Sequence, residues 1–311
     1  MLKRTNPIES ILNEHSVMIL DGALATELET HGCDLDDPLW SARVLLENPD
    51  LIYQVHYDYF RSGADCAITA SYQATVEGFA ERGIGENEAL DLIKKTVELA
   101  RKARDDFWQQ EGGTNRPKPL VAASVGPYGA YLADGSEYKG NYGVNDERLR
   151  EFHRPRLEAL LEAGADLLAI ETIPSLQEAE VIGSLLKEFP GAYGWLSFTL
   201  RDGASISDGT PLEECAKAFE DDDQIAAIGA NCTPVTTAAE AVKALEAHTN
   251  KPIIVYPNSG ETYDPETNTW HGEGSDGFHT QDWYKKGARI IGGCCRTAPK
   301  HIVEMTKTWR S

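Results

Sequence analysis

No apolar run in this chain approaches the ~20 residues needed to cross a bilayer. The opening stretch from Met1 to Pro7 is charged and polar where a secretory signal would carry an apolar segment. A membrane role is therefore not expected, and a cytoplasmic location is. Basic residues are also scarce: 29 Lys and Arg stand against 50 Asp and Glu, a formal charge of -21. A field of that sign repels phosphate backbones and anionic lipid heads, so nucleic acid is not expected as a partner. The excess acid is read first as a solubility device and only second as steering for a cationic substrate. Aromatics make up only 8% of the chain, but 41% of residues are hydrophobic and a quarter charged, the balance of an ordinary globular protein. No repeat, low-complexity tract or linker interrupts the 311 residues, so residues 1–311 are read as one large domain. The eight histidines include no HxxxH pair. His271 and His279 are at best rim residues, which turns attention to cysteine as the metal ligand.

Six cysteines are present, and their spacing does not suggest a disulfide framework. Cys294 and Cys295 are adjacent and follow Gly292-Gly293 at the end of the apolar run Ala288-Arg289-Ile290-Ile291. Neighbouring cysteines bridge each other only with strain, so two thiols directed at one soft metal ion is the better reading. Cys232 ends a second apolar run and supplies a third thiolate. Three thiolates with one open position form a catalytic zinc site, since closed structural sites use four protein ligands. The two glycines are expected to let the backbone turn closely enough for both thiols to reach the ion. Cys33, Cys66 and Cys215 fall in a loop, a strand and a helix, and the last two read as small buried hydrophobes.

Eight short apolar runs occur in order, at 17–20, 66–68, 120–123, 166–170, 194–199, 225–228, 252–256 and 289–291. Each ends in small or polar residues, and continuous apolarity suits strands buried on both faces. Helical spacing appears between them, at 86–110, 146–163, 175–188, 211–220 and 236–247. Pro49 fits the first turn of a helix, whereas Pro155 is expected to kink or split the segment after Asn145. Eight such alternations indicate a (β/α)8 barrel, a TIM barrel, with an open doubly wound sheet as the rival. The stretch 128–145 follows the third strand and is read as a lid over the mouth or as a plain surface excursion.

In a barrel, Asp21, Thr69, Glu171, Cys232, Asn258, Cys294 and Cys295 all fall at or just beyond the carboxyl ends of strands and share one face. A thiol bound to zinc there is deprotonated at neutral pH and becomes a nucleophile. Its natural electrophile is a methyl group on a positive centre, a sulfonium or quaternary ammonium. Asp21 and Glu171 suit the ammonium of an amino acid carrying that thiol, although each also has an ordinary structural reading as a turn residue or a paired buried charge. Tyr72, Tyr128 and Tyr131 either face the cation or pack the loops.

Asp21-Gly22-Ala23, Glu171-Thr172, Gly229-x-Asn231-Cys232 and Gly292-Gly293-Cys294-Cys295 occur in this order and resemble the zinc-dependent homocysteine S-methyltransferase family over essentially the whole chain. The runs 69–75, 124–138 and 255–261 are similar to its branch that takes a methyl from S-methylmethionine, and often from S-adenosylmethionine. The resemblance implies Zn2+ on Cys232, Cys294 and Cys295 and homocysteine as acceptor. It places the amino-acid end on Asp21 and Glu171, with Gly22 and Thr69 nearby; the barrel order itself sets Asn258, in the loop between the two cysteine-bearing strands, in the adjoining wall. Methionine is the implied product, by in-line attack of the zinc-activated thiol on the donor methyl. Relatives using betaine share the cysteine motifs, and no room is expected here for the folate and cobalamin domains of larger relatives. A non-enzymatic zinc or redox sensor is the reading from a different class.

Overall fold

The computed structural model describes residues 5–33, 41–113, 116–264, 269–271 and 278–310. Eight parallel strands form its centre: β1 (Met18–Ile19), β2 (Cys66–Ile68), β3 (Leu120–Val125), β4 (Leu167–Ile173), β5 (Gly194–Phe198), β6 (Ile225–Asn231), β7 (Ile253–Tyr256) and, after a hairpin of β8 (Thr262–Asp264) and β9 (Thr269–His271), β10 (Ala288–Ile291). Neighbours run from β2 to β7 in sequence order, and β10 lies between β7 and β1. Closure comes at the last seam. Leu20 bridges Cys66, the Asp21 N–H donates to the Cys66 carbonyl at 3.1 Å, and the Asp65 N–H donates to the Ile19 carbonyl at 2.7 Å. The fold is a (β/α)8 TIM barrel, and the open-sheet rival is excluded because its edge strands would be unpaired here.

Alternation along the strands sorts the core into two layers. Met18, Leu20, Cys66, Ala122, Leu167, Ala169, Trp195, Ala227, Ile254, Tyr256 and Ile290 fill the barrel. Their neighbours Ile19, Ala67, Val121, Leu168, Leu196, Ile228, Val255 and Ile291 face the surrounding helices. Ile8 and Ile11 of the first helix (Pro7–Leu12) join the interior layer. Each fully buried aliphatic of this kind contributes about 1.5–3 kcal/mol.

Pro49 opens its helix (Pro49–Ser62) as expected. Pro155 does not split the following one, which runs unbroken from Asp146 to Glu162. Leu149, Phe152, His153, Arg156 and Leu157 keep one buried face on both sides of the proline, and that burial outweighs the ~3 kcal/mol cost of a proline inside a helix. The stretch 128–145 is neither structureless nor detached. It contains a short helix (Tyr128–Leu132) and a turn of 3-10 helix (Ser136–Tyr138), and it is tied down by a buried Glu178. One Glu178 oxygen accepts the Tyr128 N–H at 2.6 Å and lies 2.8 Å from His153 Nε2, while the other accepts the Tyr142 hydroxyl at 3.0 Å. Arg156 adds hydrogen bonds to the Gly126 and Tyr72 carbonyls at 2.6 and 3.3 Å. No helix among the described residues is long and apolar enough to cross a membrane.

Candidate active site and metal centre

At the carboxyl end of β10, Gly292 N–H donates to the Val255 carbonyl at 3.1 Å, Gly293 N–H to the Asp21 carbonyl at 3.2 Å and Cys294 N–H to the Pro257 carbonyl at 2.8 Å. The chain is thus threaded between β1 and the loop after β7. A Cβ on Gly292 would stand 2.6 Å from the Leu20 Cβ, and one on Gly293 would stand 2.5 Å from the Thr297 hydroxyl. Close approach is therefore the reason for both glycines, since the unusual backbone falls later, at Arg296 with φ 64°. From β6, Cys232 emerges with φ 49° and its N–H on the Tyr256 carbonyl at 3.3 Å.

These two constraints bring three half-buried thiols to one point. The Cys232 and Cys295 sulfurs are 3.7 Å apart, those of Cys294 and Cys295 are 3.9 Å apart, and all three lie within 4.8 Å of one another. Thiolates held 2.3 Å from one tetrahedral ion stand about 3.8 Å apart, so this spacing fits a thiolate-binding metal without rearrangement. Contact among the thiols favours one anion: hydrogen bonds from Cys294 and Cys295 pull the Cys232 thiol well below its ordinary range, and the same contacts push Cys294 up. Asn258 and Tyr138 also hydrogen-bond Cys232, the Tyr138 hydroxyl at 3.6 Å. His279 heads an exposed helix end and His271 lies in β9, and the metal-capable cluster among the described residues contains neither.

The acids come from β1 and β4. Asp21 is buried, with one oxygen accepting the Ile68 N–H at 2.9 Å and the other without a partner. Burial, and then the charge of Glu171, hold its carboxyl well above the usual range. Glu171 lies where the β4–β5 register shifts between Ile170 and Ile173, an irregularity of the kind that re-aims a side chain. Its carboxylate accepts the Ser124 hydroxyl on one oxygen and the Tyr256 hydroxyl, at 3.0 Å, on the other. Burial raises it to about 7, against the pull of those two hydrogen bonds. Thr172 follows with φ 61°, a costly conformation for a β-branched residue.

The remaining expected residues divide. Gly22 has no room for a side chain, because a Cβ would meet the Tyr59 hydroxyl and the Thr297 side chain at 2.8 Å. Thr69 is in the wall, but its hydroxyl is already engaged by Ser71 at 2.7 Å and the Ser124 N–H at 3.1 Å. Asn258 keeps a buried Oδ1 without a partner, as does the neighbouring Ser259 hydroxyl. Tyr72 reaches the site, where its hydroxyl bonds Thr172. Tyr128 and Tyr131 pack instead against each other and Phe152. Sequence reasoning missed Glu137 and Tyr138, and the hydrogen bond by which Tyr256, at the edge of the expected wall, holds Glu171. Glu137 and Tyr138 lie in the stretch 128–145, where no periodicity marks them. Tyr256 ends an apolar strand and reads as core.

A family model described as homocysteine S-methyltransferase matches residues 18–309. The chain belongs to the homocysteine S-methyltransferase family. It is 58% identical to homocysteine S-methyltransferase YbgG of Bacillus subtilis over 98% of both chains, and 51% identical to the Escherichia coli homocysteine S-methyltransferase over 98% of this chain and 99% of that one. Among solved structures, the metallated form of the Escherichia coli homocysteine methyltransferase MmuM superposes with a TM-score of 0.90 at 49% identity, covering 97% of this chain and 100% of that one. In this member of an enzyme family the three thiols form a cluster that could hold a metal ion.

Proposed function

We propose that this homocysteine S-methyltransferase takes its methyl group from a sulfonium donor, S-methylmethionine and also S-adenosylmethionine, and that Cys232, Cys294 and Cys295 hold Zn2+. The observation that carries the reading is the convergence of three thiols, spaced for one tetrahedral ion, with two buried carboxylates on the same barrel face. Residues 1–311 act as one homocysteine-binding barrel domain. Zinc bound there would lower the pKa of an arriving thiol, so that homocysteine reacts as a thiolate near neutral pH.

The chain's own residues do the rest. The free Asp21 oxygen and the Glu171 carboxylate receive the homocysteine ammonium, and that cation draws both acids into their charged forms. Ser124 and Tyr256 fix the Glu171 carboxylate, and Asn258 steadies Cys232. In the transfer the donor's S–CH3 bond breaks, its electron pair stays on the donor sulfur, and a new C–S bond forms on homocysteine. The thiol proton leaves to solvent, and with S-methylmethionine both products are methionine. A cation and an anion disappear together, so exclusion of water favours the step. All six cysteines are unpaired, which suits a reducing compartment such as the cytoplasm.

The test is methionine formation from homocysteine with S-methylmethionine, S-adenosylmethionine and betaine in parallel, with zinc content followed by elemental analysis. Turnover with either sulfonium and little with betaine is expected. Preference for betaine would overturn the donor assignment, and full activity in zinc-free protein would overturn the metal assignment.

A further inference from the structure

The stretch 136–138 carries a second recognition element, on a turn after β3 that is separate from the strands bearing Asp21 and Glu171. Glu137 follows Ser136 in the 3-10 turn, and its backbone carbonyl accepts the Thr199 hydroxyl at 3.3 Å, which anchors the turn to the end of β5. The next residue, Tyr138, places its hydroxyl 3.6 Å from Cys232 Sγ. Glu137 Oε2 is buried with no hydrogen-bond partner. The charges that act on this carboxylate are Cys232 and Asp134, both of the same sign, and Tyr72 senses Glu137, Cys232 and Glu171 together. A buried carboxylate oxygen without a donor is costly unless a ligand supplies one.

We propose that Glu137 is the residue that receives the α-ammonium group of the methyl donor and so selects amino-acid sulfoniums over betaine. This rests on the methyl-transfer reading above. Two amino acids meet at the thiols in that reaction, each with one ammonium. Asp21 and Glu171 sit together on the barrel strands and account for the acceptor's. Glu137 is half-buried with its Oε2 buried and unpartnered, on a separate element whose next residue touches Cys232. An ammonium keeps its charge throughout the transfer, so this contact acts on binding rather than on the chemical step. Pairing the sulfonium itself would be lost as its charge disappears, which is a poor use of a fixed carboxylate. Betaine has no N–H to donate, and its carboxylate would meet Glu137 as a like charge.

The test compares the zinc-loaded wild type with Glu137→Gln and Glu137→Asp, using S-methylmethionine and dimethylsulfoniopropionate, a sulfonium with no ammonium, at saturating homocysteine. Glu137→Gln should lose roughly 10- to 100-fold in kcat/KM for S-methylmethionine, mostly through KM, as expected for one charge-assisted hydrogen bond. Glu137→Asp should recover part of it. With dimethylsulfoniopropionate, which like betaine has a carboxylate and no N–H, Glu137→Gln should be no worse than wild type and Glu137→Asp should stay within about twofold of it, and the KM for homocysteine should not move. Equal losses on both donors, or a raised homocysteine KM instead, overturns the assignment. Calorimetric binding of S-methylmethionine reads the same contact without turnover: equal affinity in wild type and Glu137→Gln overturns it even if the wild type methylates nothing, whereas absent turnover alone counts against the methyl-transfer reading.

Discussion

The side chain of Asn231 clamps Thr172 at two points, its Oδ1 accepting the Thr172 N–H at 2.8 Å and its Nδ2 donating to the Thr172 hydroxyl at 2.8 Å. Thr172 is strained and follows Glu171, while Asn231 precedes Cys232, so one amide links the acid to the strand that carries Cys232. Asn231→Ala leaves the buried Thr172 N–H without an acceptor and should cost about 1–3 kcal/mol in unfolding free energy. It should also raise the homocysteine KM at least several-fold, measured in steady state beside a urea melt. A variant with normal stability and normal KM would show that the clamp is incidental.

Cys232→Ser and Cys295→Ser each remove one thiolate from the three-sulfur point. Loss of bound zinc by elemental analysis and a fall in kcat of about 10³-fold or more are expected, because the nucleophile is then a protonated thiol. Far-UV circular dichroism should stay near wild type. The core beneath the site does not depend on these half-buried side chains.

Glu171 titrates at about 7 in the free site, raised by burial. Its charged form is the one that binds an ammonium, so kcat/KM for homocysteine at saturating donor should climb as pH rises through about 7 and then level. Glu171→Gln should abolish that limb and lower the plateau by roughly 10- to 100-fold. A variant profile that still rises through 7 would assign the ionisation elsewhere.

His56 is fully buried with neither ring nitrogen hydrogen-bonded, and burial lowers it from 6.5 to about 4. Its folded pKa is depressed, so the unfolded state takes up the proton first. Stability from its neutral form is complete above about 6.5 and is lost as pH falls toward 4, up to about 3 kcal/mol. His56→Leu lacks this component. The stability of the wild type relative to the variant should therefore decline by about that amount between pH 7 and pH 4 in denaturant titrations. A constant difference across that range would show that His56 is hydrated or paired in solution.

Much of the barrel was legible in the chain because parallel strands buried on both faces must be apolar throughout, and all eight runs became strands in the expected order. Cys232 and the Cys294-Cys295 pair stood out for a related reason: residues at strand ends share a face once the barrel closes. The split allowed for at Pro155 did not occur, because local propensity does not weigh the burial of Phe152 and Leu157 around it. The Gly292-Gly293 pair was rightly singled out, although its reason is contact with Leu20 and Thr297 and not a special turn.

By itself the sequence determined the barrel, the order of its strands and the thiols and acids at their ends, since these follow from periodicity and residue chemistry along a line. Only the tertiary structure decided which groups are left wanting a partner. Thr69 proved to be satisfied by Ser71 and Ser124, whereas Asp21, Glu137 and Asn258 each kept a buried oxygen free. Hydrogen-bond satisfaction depends on neighbours brought from distant strands, and no reading along one chain can count them.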